Sequence, residues 1–151
     1  MLKNNCLVYY NYDITFQEIP NEINLTISIM GCQNKCKGCH SPHLRNLNGK
    51  ALNQKELKSI LELYKNNITT VLLLGEGHDR KALIGTIKFI KNYDLKIGLY
   101  SGRDEYDNEL GKLLDYYKVG SYIQELGGID KKTTNQRMYY RGADITKKFQ
   151  N

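Results

Sequence analysis

TTVLLLGEG, residues 69–77, and the stretch DRKALIGTIKFIKNY, residues 79–93, together decide the fold class. The first stretch is an apolar run stopped by glycines, which predicts a buried strand and a turn. In the second stretch Leu83, Ile87 and Ile90 recur at helical spacing and form one apolar face. A strand, a glycine turn and an amphipathic helix therefore follow one another directly.

The same order of elements recurs on both sides of this stretch. Upstream, NLTISIM (residues 24–30) predicts a buried strand. NQKELKSILELYKNN (residues 53–67) predicts an amphipathic helix, with Asn53 as N-cap and Glu56 three positions later. Downstream, the sequence predicts a strand at LKIGLYSG (residues 95–102), a helix over residues 107–114 and a further strand near VGSYIQE (residues 119–125).

Strands that alternate with helices, each strand nearly all apolar, indicate parallel strands joined by βαβ crossovers. We therefore predict a single α/β domain over residues 1–151 with mostly parallel strands. About four or five such strands are too few to close an eight-stranded barrel, so we expect an open sheet or a small partial (β/α) barrel. Because ligands of such folds bind beyond the carboxyl ends of the strands, GEGHD, YSG and the cysteine-rich segment should share one rim.

The cysteine-rich segment, MGCQNKCKGCHSPHL (residues 30–44), places Cys32, Cys36 and Cys39 in the spacing C-x3-C-x2-C. An odd local number of thiols fits disulfide pairing poorly, whereas soft thiolates bind zinc or iron-sulfur centres. Three cysteines hold three irons of a [4Fe-4S] cube and leave the fourth iron open to a ligand. The alternative is a closed structural zinc site completed by His40 or His43.

The remaining cysteine, Cys6, lies far upstream in NNCLVYY. We interpret it as a small buried apolar residue in a strand, although it could in principle be a fourth ligand of either centre.

Composition limits the location and the partners of the protein. The N-terminus has no signal-peptide pattern and no apolar stretch has the length of a membrane span, so we expect a cytoplasmic protein. The formal net charge of +6 raises a nucleic-acid role, but the lysines are dispersed and no nucleic-acid-binding motif accompanies them. We interpret the excess charge as a solvated surface, with a partner-docking face as the alternative.

The C-x3-C-x2-C segment after a first strand resembles the signature of radical S-adenosylmethionine (SAM) enzymes. Further stretches resemble one branch of that superfamily, the anaerobic ribonucleoside-triphosphate reductase activating proteins. They are GCQNKCKGCHSPHLR, LLLGEGHD, GLYSG, KVGSYIQELGGIDKKTTNQRMY and GADIT. The likeness extends over nearly the whole chain.

The resemblance implies a radical SAM partial barrel with a [4Fe-4S] cluster on Cys32, Cys36 and Cys39 and SAM bound at the open iron. One electron from the cluster then cleaves SAM to methionine and a 5′-deoxyadenosyl radical. That radical takes a hydrogen atom from a backbone glycine of the partner, the glycyl-radical subunit of the anaerobic reductase. A low-potential electron donor such as flavodoxin is also implied.

The resemblance also suggests which residues contact SAM. Gly38 and His40 are implied near the adenine, Gly75 and Glu76 at the ammonium group, and Ser101 at the ribose or the carboxylate. The Gly-Gly-Glu motif of the family appears here as residues 74–76 with leucine in place of its first glycine.

Several of these residues have a plainer interpretation. Gly75 and Gly77 can supply turn geometry, and Glu76 or Asp79 can cap the next helix. Two rival functions also stay open: a radical SAM activase of another glycyl-radical enzyme or small molecule, and a non-catalytic Cys3His zinc module that binds nucleic acid.

Overall fold

The structure is a computed structural model that describes residues 6–31 and 46–150. Its strands are β1 (Leu7–Thr15), β2 (Asn24–Ile29), β3 (Lys50–Leu52), β4 (Thr70–Leu74), β5 (Lys96–Tyr100), β6 (Tyr116–Val119), β7 (Arg137–Tyr140) and β8 (Ala143–Asp144). Its helices are α1 (Gln54–Tyr64), α2 (Arg80–Ile90) and α3 (Asn108–Leu113), with a 3-10 helix at Thr146–Phe149.

The strands form one sheet in the order β3-β1-β2-β4-β5-β6-β7-β8. Its centre consists of β2, β4, β5 and β6, which are parallel neighbours connected through the three helices. The helices share a single core with one face of the sheet. That core includes Leu61, Leu83 and Leu110 from the helices and Ile27, Leu73 and Leu99 from the strands. The predicted α/β class is therefore confirmed.

The expectation of mostly parallel strands is wrong for the described sheet, because four of its seven pairings are antiparallel. Residues 16–23 join β1 to β2, and a link this short cannot make the crossover that a parallel pair requires. Arg141 and Gly142 join β7 to β8, both with positive φ, as in the tightest hairpin turns. In the described sheet β3 and β8 are the outer strands, so the sheet is open.

The predicted helix starts are confirmed by their capping bonds. The side-chain oxygen of Asn53 accepts a hydrogen bond from the backbone N–H of Glu56 at 2.9 Å. Asp79 likewise accepts from the N–H of Ala82 at 3.1 Å, so Asp79 and not Glu76 caps α2. The further strand predicted near residues 119–125 exists, but it lies upstream, because β6 ends at Val119 and the chain turns at Gly120 with a φ of 116°.

The amino-terminal edge of the parallel strands is held by the buried carboxylate of Glu22, which is 6% exposed. Glu22 accepts four hydrogen bonds, from Thr69 Oγ1 at 2.7 Å, Thr70 Oγ1 at 3.1 Å, Lys96 Nζ at 2.7 Å and the Tyr116 hydroxyl at 2.7 Å. Burial alone would raise the pKa of Glu22, but the bonds from Lys96 and the three hydroxyl groups outweigh it and lower the pKa from 4.5 to about 2.

We expect Glu22→Gln to destabilise the protein at pH 7 by on the order of 2–3 kcal/mol, because the folded state stabilises the ionised carboxylate. The folded-state pKa lies below the unfolded value, so this contribution is complete above pH 4.5 and is lost as the pH falls towards about 2. Urea unfolding at several pH values measures it. The difference between wild type and Glu22→Gln should shrink on acidification, while the exposed control Glu62→Gln shows little effect at any pH. A pH-independent difference would contradict this account.

Candidate functional site

The loops that follow the parallel strands converge at one edge of the sheet, which we call the carboxyl rim. Residue 31 lies just after β2, residues 75–79 after β4, residues 101–107 after β5 and residue 120 after β6. This is the edge at which the sequence predicted a ligand site.

Both described ends of the cysteine segment lie at the carboxyl rim. Gly31 has a φ of 90°, and a Cβ placed on it would lie 3.1 Å from the Cβ of His78 and 2.9 Å from Leu47 Cδ2. The chain therefore leaves β2 and re-enters the described structure at the same place, against the loop that begins at Gly75. The predicted site residues Cys32, Cys36, Gly38, Cys39 and His40 lie outside the described residues.

Glu76, Ser101 and Arg103 form a cluster of hydrogen bonds between the β4 and β5 loops. The Ser101 hydroxyl donates to Glu76 Oε2 and accepts from the backbone N–H of Arg103 at 3.0 Å. The Arg103 guanidinium donates to both carboxylate oxygens of Glu76, through Nε at 3.1 Å and Nη2 at 2.9 Å. The structure thus brings together Glu76 and Ser101, two residues that the sequence analysis had singled out separately.

The charge of Glu76 is maintained by this cluster. Burial by itself would raise the pKa of Glu76, but the bonds from Arg103 and Ser101 outweigh it and lower the pKa below the ordinary value of 4.5. Its side chain is 21% exposed, and that of Arg103 is 40% exposed. An ionised carboxylate with access to solvent, beside a guanidinium, suits ligands that carry charged groups.

The backbone fixes the cluster between three strands. Gly75 donates its N–H to the carbonyl of Tyr100 at 2.9 Å, and Ser101 donates to the carbonyl of Lys118 at 2.8 Å. The carbonyl of Arg103 accepts from the N–H of Gly120 at 2.6 Å. The geometry of the loops after β4, β5 and β6 is therefore coupled.

Arg103 is a residue of this cluster that sequence reasoning missed. Its guanidinium also lies 3.8 Å from Asp107, which pairs with Arg80 at 2.8 Å. The only sequence signal is a basic residue shortly after a strand, and many exposed arginines share that position. The pairing with Glu76 depends on β4 and β5 being neighbours, which the sequence did not specify.

The other candidate residues have structural roles. Cys6 is buried directly before β1, as predicted for a small apolar side chain. In the stretch TTNQRMY, Asn135 donates to the carbonyl of Ser121 at 3.1 Å, and Arg137 is the first residue of β7, which lies between β6 and β8. Within residues 6–31 and 46–150 no group of three histidine, cysteine or acidic residues could hold a metal ion.

No helix of the described chain combines the length and apolar character needed to cross a membrane. The chain matched no protein family, no curated protein and no solved structure.

A substitution at Gly77 tests how closely the residues at the carboxyl rim are packed. Its φ is 78°, and a Cβ there would lie 2.7 Å from Leu7 Cδ2, so Gly77→Ala should destabilise the protein by about 1–3 kcal/mol. Gly85 is the matched control, because it lies inside α2 and an added Cβ would meet no described atom within 4 Å. We expect Gly85→Ala to stabilise by up to about 1 kcal/mol. Urea unfolding distinguishes the two, and equal shifts would contradict the packing at Gly77.

Proposed function

We propose that the protein is a radical SAM activating enzyme that generates a glycyl radical on an anaerobic ribonucleoside-triphosphate reductase. The observation that supports it is the shared carboxyl rim, where Gly31 lies against the β4 loop that carries Glu76, and Leu47, just after the cysteine segment, lies against Gly31. Ser101, from the next loop, is bonded to Glu76. Glu76, Ser101 and the described ends of the cysteine segment, which the resemblance assigns to one cofactor site, therefore lie at one edge of the sheet.

The winding of the sheet supports a partial barrel of the radical SAM type. In doubly wound sheets the strand order reverses and helices cover both faces. Here β2, β4, β5 and β6 follow one another without reversal, and the helices pack on one face, as in (β/α) barrels. We propose that the parallel strands form the barrel portion and that the antiparallel strands extend it at both edges.

In this proposal Cys32, Cys36 and Cys39 hold a [4Fe-4S] cluster through three thiolates. When bound, the cluster and SAM supply the radical chemistry, and the protein positions the ligand and excludes water. Gly38 and His40 are proposed to approach the adenine.

The donor set at Glu76 fits an ammonium group. A carboxylate offers about four lone-pair positions, and Glu76 uses three of them, two for Arg103 and one for Ser101. Within the described chain one acceptor position is therefore left on a carboxylate that the cluster keeps ionised. The carbonyl of Gly75, at the same turn, is the second proposed acceptor for the ammonium group.

Ser101 is better suited to orienting Glu76 than to holding the ribose. Its hydroxyl already donates to Glu76 and accepts from Arg103, which leaves one acceptor position and no hydrogen to donate. A direct bond to a carboxylate of SAM would need the hydrogen that Glu76 now receives. We propose that Ser101 acts as a positioning residue.

The proposed partners are those implied by the resemblance. They are the glycyl-radical subunit of the reductase and a low-potential electron donor such as flavodoxin, in the cytoplasm. Mixing the reduced, SAM-loaded protein with the reductase and recording the electron paramagnetic resonance signal tests the partner. A glycyl radical on a different protein would favour the rival activase.

We expect Cys32→Ala, Cys36→Ala and Cys39→Ala each to abolish SAM cleavage after anaerobic reconstitution, because loss of one thiolate makes the cube labile. Iron content, the visible spectrum and the yield of 5′-deoxyadenosine measure the effect. Cys6→Ala is the matched control and should retain the cluster, since Cys6 is a buried residue before β1.

Two results would contradict this ligand assignment. One is a stoichiometric, colourless zinc protein, which would favour the Cys3His module. The other is loss of the cluster in Cys6→Ala while one of the three segment variants keeps it.

We expect Glu76→Gln to weaken binding of S-adenosylhomocysteine by about 10- to 100-fold, because a hydrogen bond to a charged group contributes about 1.5–3 kcal/mol. Binding of 5′-methylthioadenosine, which lacks the amino-acid part, should change little. Equilibrium dialysis measures both, with Glu109→Gln as control, since Glu109 pairs with Arg80 on the exposed side of the same charge network. Equal losses for the two ligands would contradict the role of Glu76.

A further inference from the structure

On the face of the sheet opposite the helices, the side chains are less buried near the carboxyl rim than in the middle of the sheet. Residues on this face align in register across the parallel strands and β7. One row, Thr26, Leu72, Gly98, Tyr116 and Tyr140, has its central members buried, with Ile19 packed over them. The next row towards the rim is Ser28, Leu74, Tyr100, Lys118 and Met138, which we call the open row.

The open row is partly exposed at four of its five positions, and only Met138 is buried. It lies directly inside the carboxyl rim, because Ser101 follows Tyr100 and donates its N–H to the carbonyl of Lys118. Apolar and aromatic side chains with access to solvent therefore lie beside the Glu76 cluster. An apolar surface of this kind suits a segment of another chain.

Lys118 is the charged residue of the open row. Its ammonium lies 4.1 Å from the centre of the Tyr100 ring, and within the described chain it forms no ion pair with a carboxylate. Burial lowers the pKa of Lys118 to about 8, with Glu18 opposing the shift. The Tyr100 hydroxyl donates to the carbonyl of Glu18 and so has no hydrogen for another ligand.

The contrast with Lys96 indicates that this lack of a partner is specific. Lys96 lies on the same face of the neighbouring strand β5, four residues before the Tyr100 that aligns with Lys118. It is at the amino-terminal edge and pairs with Glu22 at 2.7 Å. Lys118 lies near the other end of the same sheet face, where a cation without a carboxylate is costly to bury. An incoming carboxylate would remove that cost.

The chemistry around Lys118 favours a carboxylate over a phosphate. Phosphate groups are usually held by several donors, such as arginine forks or clustered N–H groups. The open row offers one ammonium among Leu74, Tyr100 and Met138. The net charge of +6 also favours an acidic partner.

We propose that the open row receives the substrate segment of the partner protein and that Lys118 pairs with a carboxylate side chain of that segment. This inference rests on the proposed function. It assigns the row inside the carboxyl rim to the partner and the Glu76 cluster to the amino-acid part of SAM.

The test is the affinity of the activase for the purified anaerobic reductase, measured by isothermal titration calorimetry at pH 7. We expect Lys118→Met to weaken binding by about tenfold or more, as for close charge pairs across interfaces. Lys118→Arg should stay within a few-fold of wild type because it keeps the charge. Lys131→Met is the matched control, since Lys131 is 65% exposed and should leave the affinity unchanged.

The pH dependence gives a second readout. Because burial lowers the pKa of Lys118 to about 8, its ammonium loses a proton between pH 7 and pH 9, and the affinity of wild type should fall. Burial, together with the charge of Glu18, raises the pKa of Tyr100 well above this range. Lys118→Arg should show little change over the same range.

SAM cleavage in the absence of the reductase separates this inference from the proposed function. Wild type that cleaves no SAM would refute the proposed function itself. If wild type cleaves SAM but Lys118→Met binds the reductase as tightly as wild type, the inference alone is overturned. It is also overturned if Lys118→Met loses cleavage without the reductase, because the carboxylate would then belong to SAM.

Discussion

The buried carboxylate of Glu22 is the interaction on which the arrangement of the parallel strands depends. It accepts bonds from the residues that begin or precede β4, β5 and β6, and so fixes three strands at their amino-terminal edge. Because each strand rises about 3.3 Å per residue, alignment at one edge also sets where the loops emerge at the other. The positions of Glu76 and Ser101 at the carboxyl rim follow from that alignment.

Two carboxylates at opposite edges of one sheet therefore have different chemistry. Glu22 is 6% exposed and takes four donors, so it has no position left for a ligand. Glu76 is more exposed, takes three, and lies beside an arginine that is itself accessible. A buried carboxylate whose acceptor positions are all hydrogen-bonded contributes to stability. A charged carboxylate with an acceptor position left over suits ligand binding. The same contrast separates Lys96, which pairs with Glu22, from Lys118, which forms no ion pair with the described carboxylates.

The local features of the fold could be predicted from the sequence because they depend on neighbours in the chain. Capping by Asn53 and Asp79 depends on residues three positions away, and the apolar runs of β2, β4 and β5 are continuous. The antiparallel edges could not be predicted, because short links and a hairpin decided them. The position of β6 was also missed. Tyr116 and Tyr117 are buried in this strand, but their sequence pattern resembles a strand no more than that of the residues after Gly120 does.

The residues of the candidate site also fall into two groups, those recognisable from the local sequence and those that depend on contacts between distant strands. Local spacing identified the cysteines, and the resemblance to radical SAM enzymes suggested Gly75, Glu76 and Ser101. Arg103, Lys118 and Glu22 become significant only when strands distant in sequence lie in register. A charged residue gains a function from the groups placed opposite it, and those groups come from other loops. This explains why a motif can suggest a cofactor, whereas the residues that we propose to orient its ligand or to recognise a partner emerge only from the packed sheet. At this rim the backbone bonds among the β4, β5 and β6 loops make the two kinds of residue mechanically dependent, because a shift of Ser101 moves Glu76 and the carbonyl of Lys118 together.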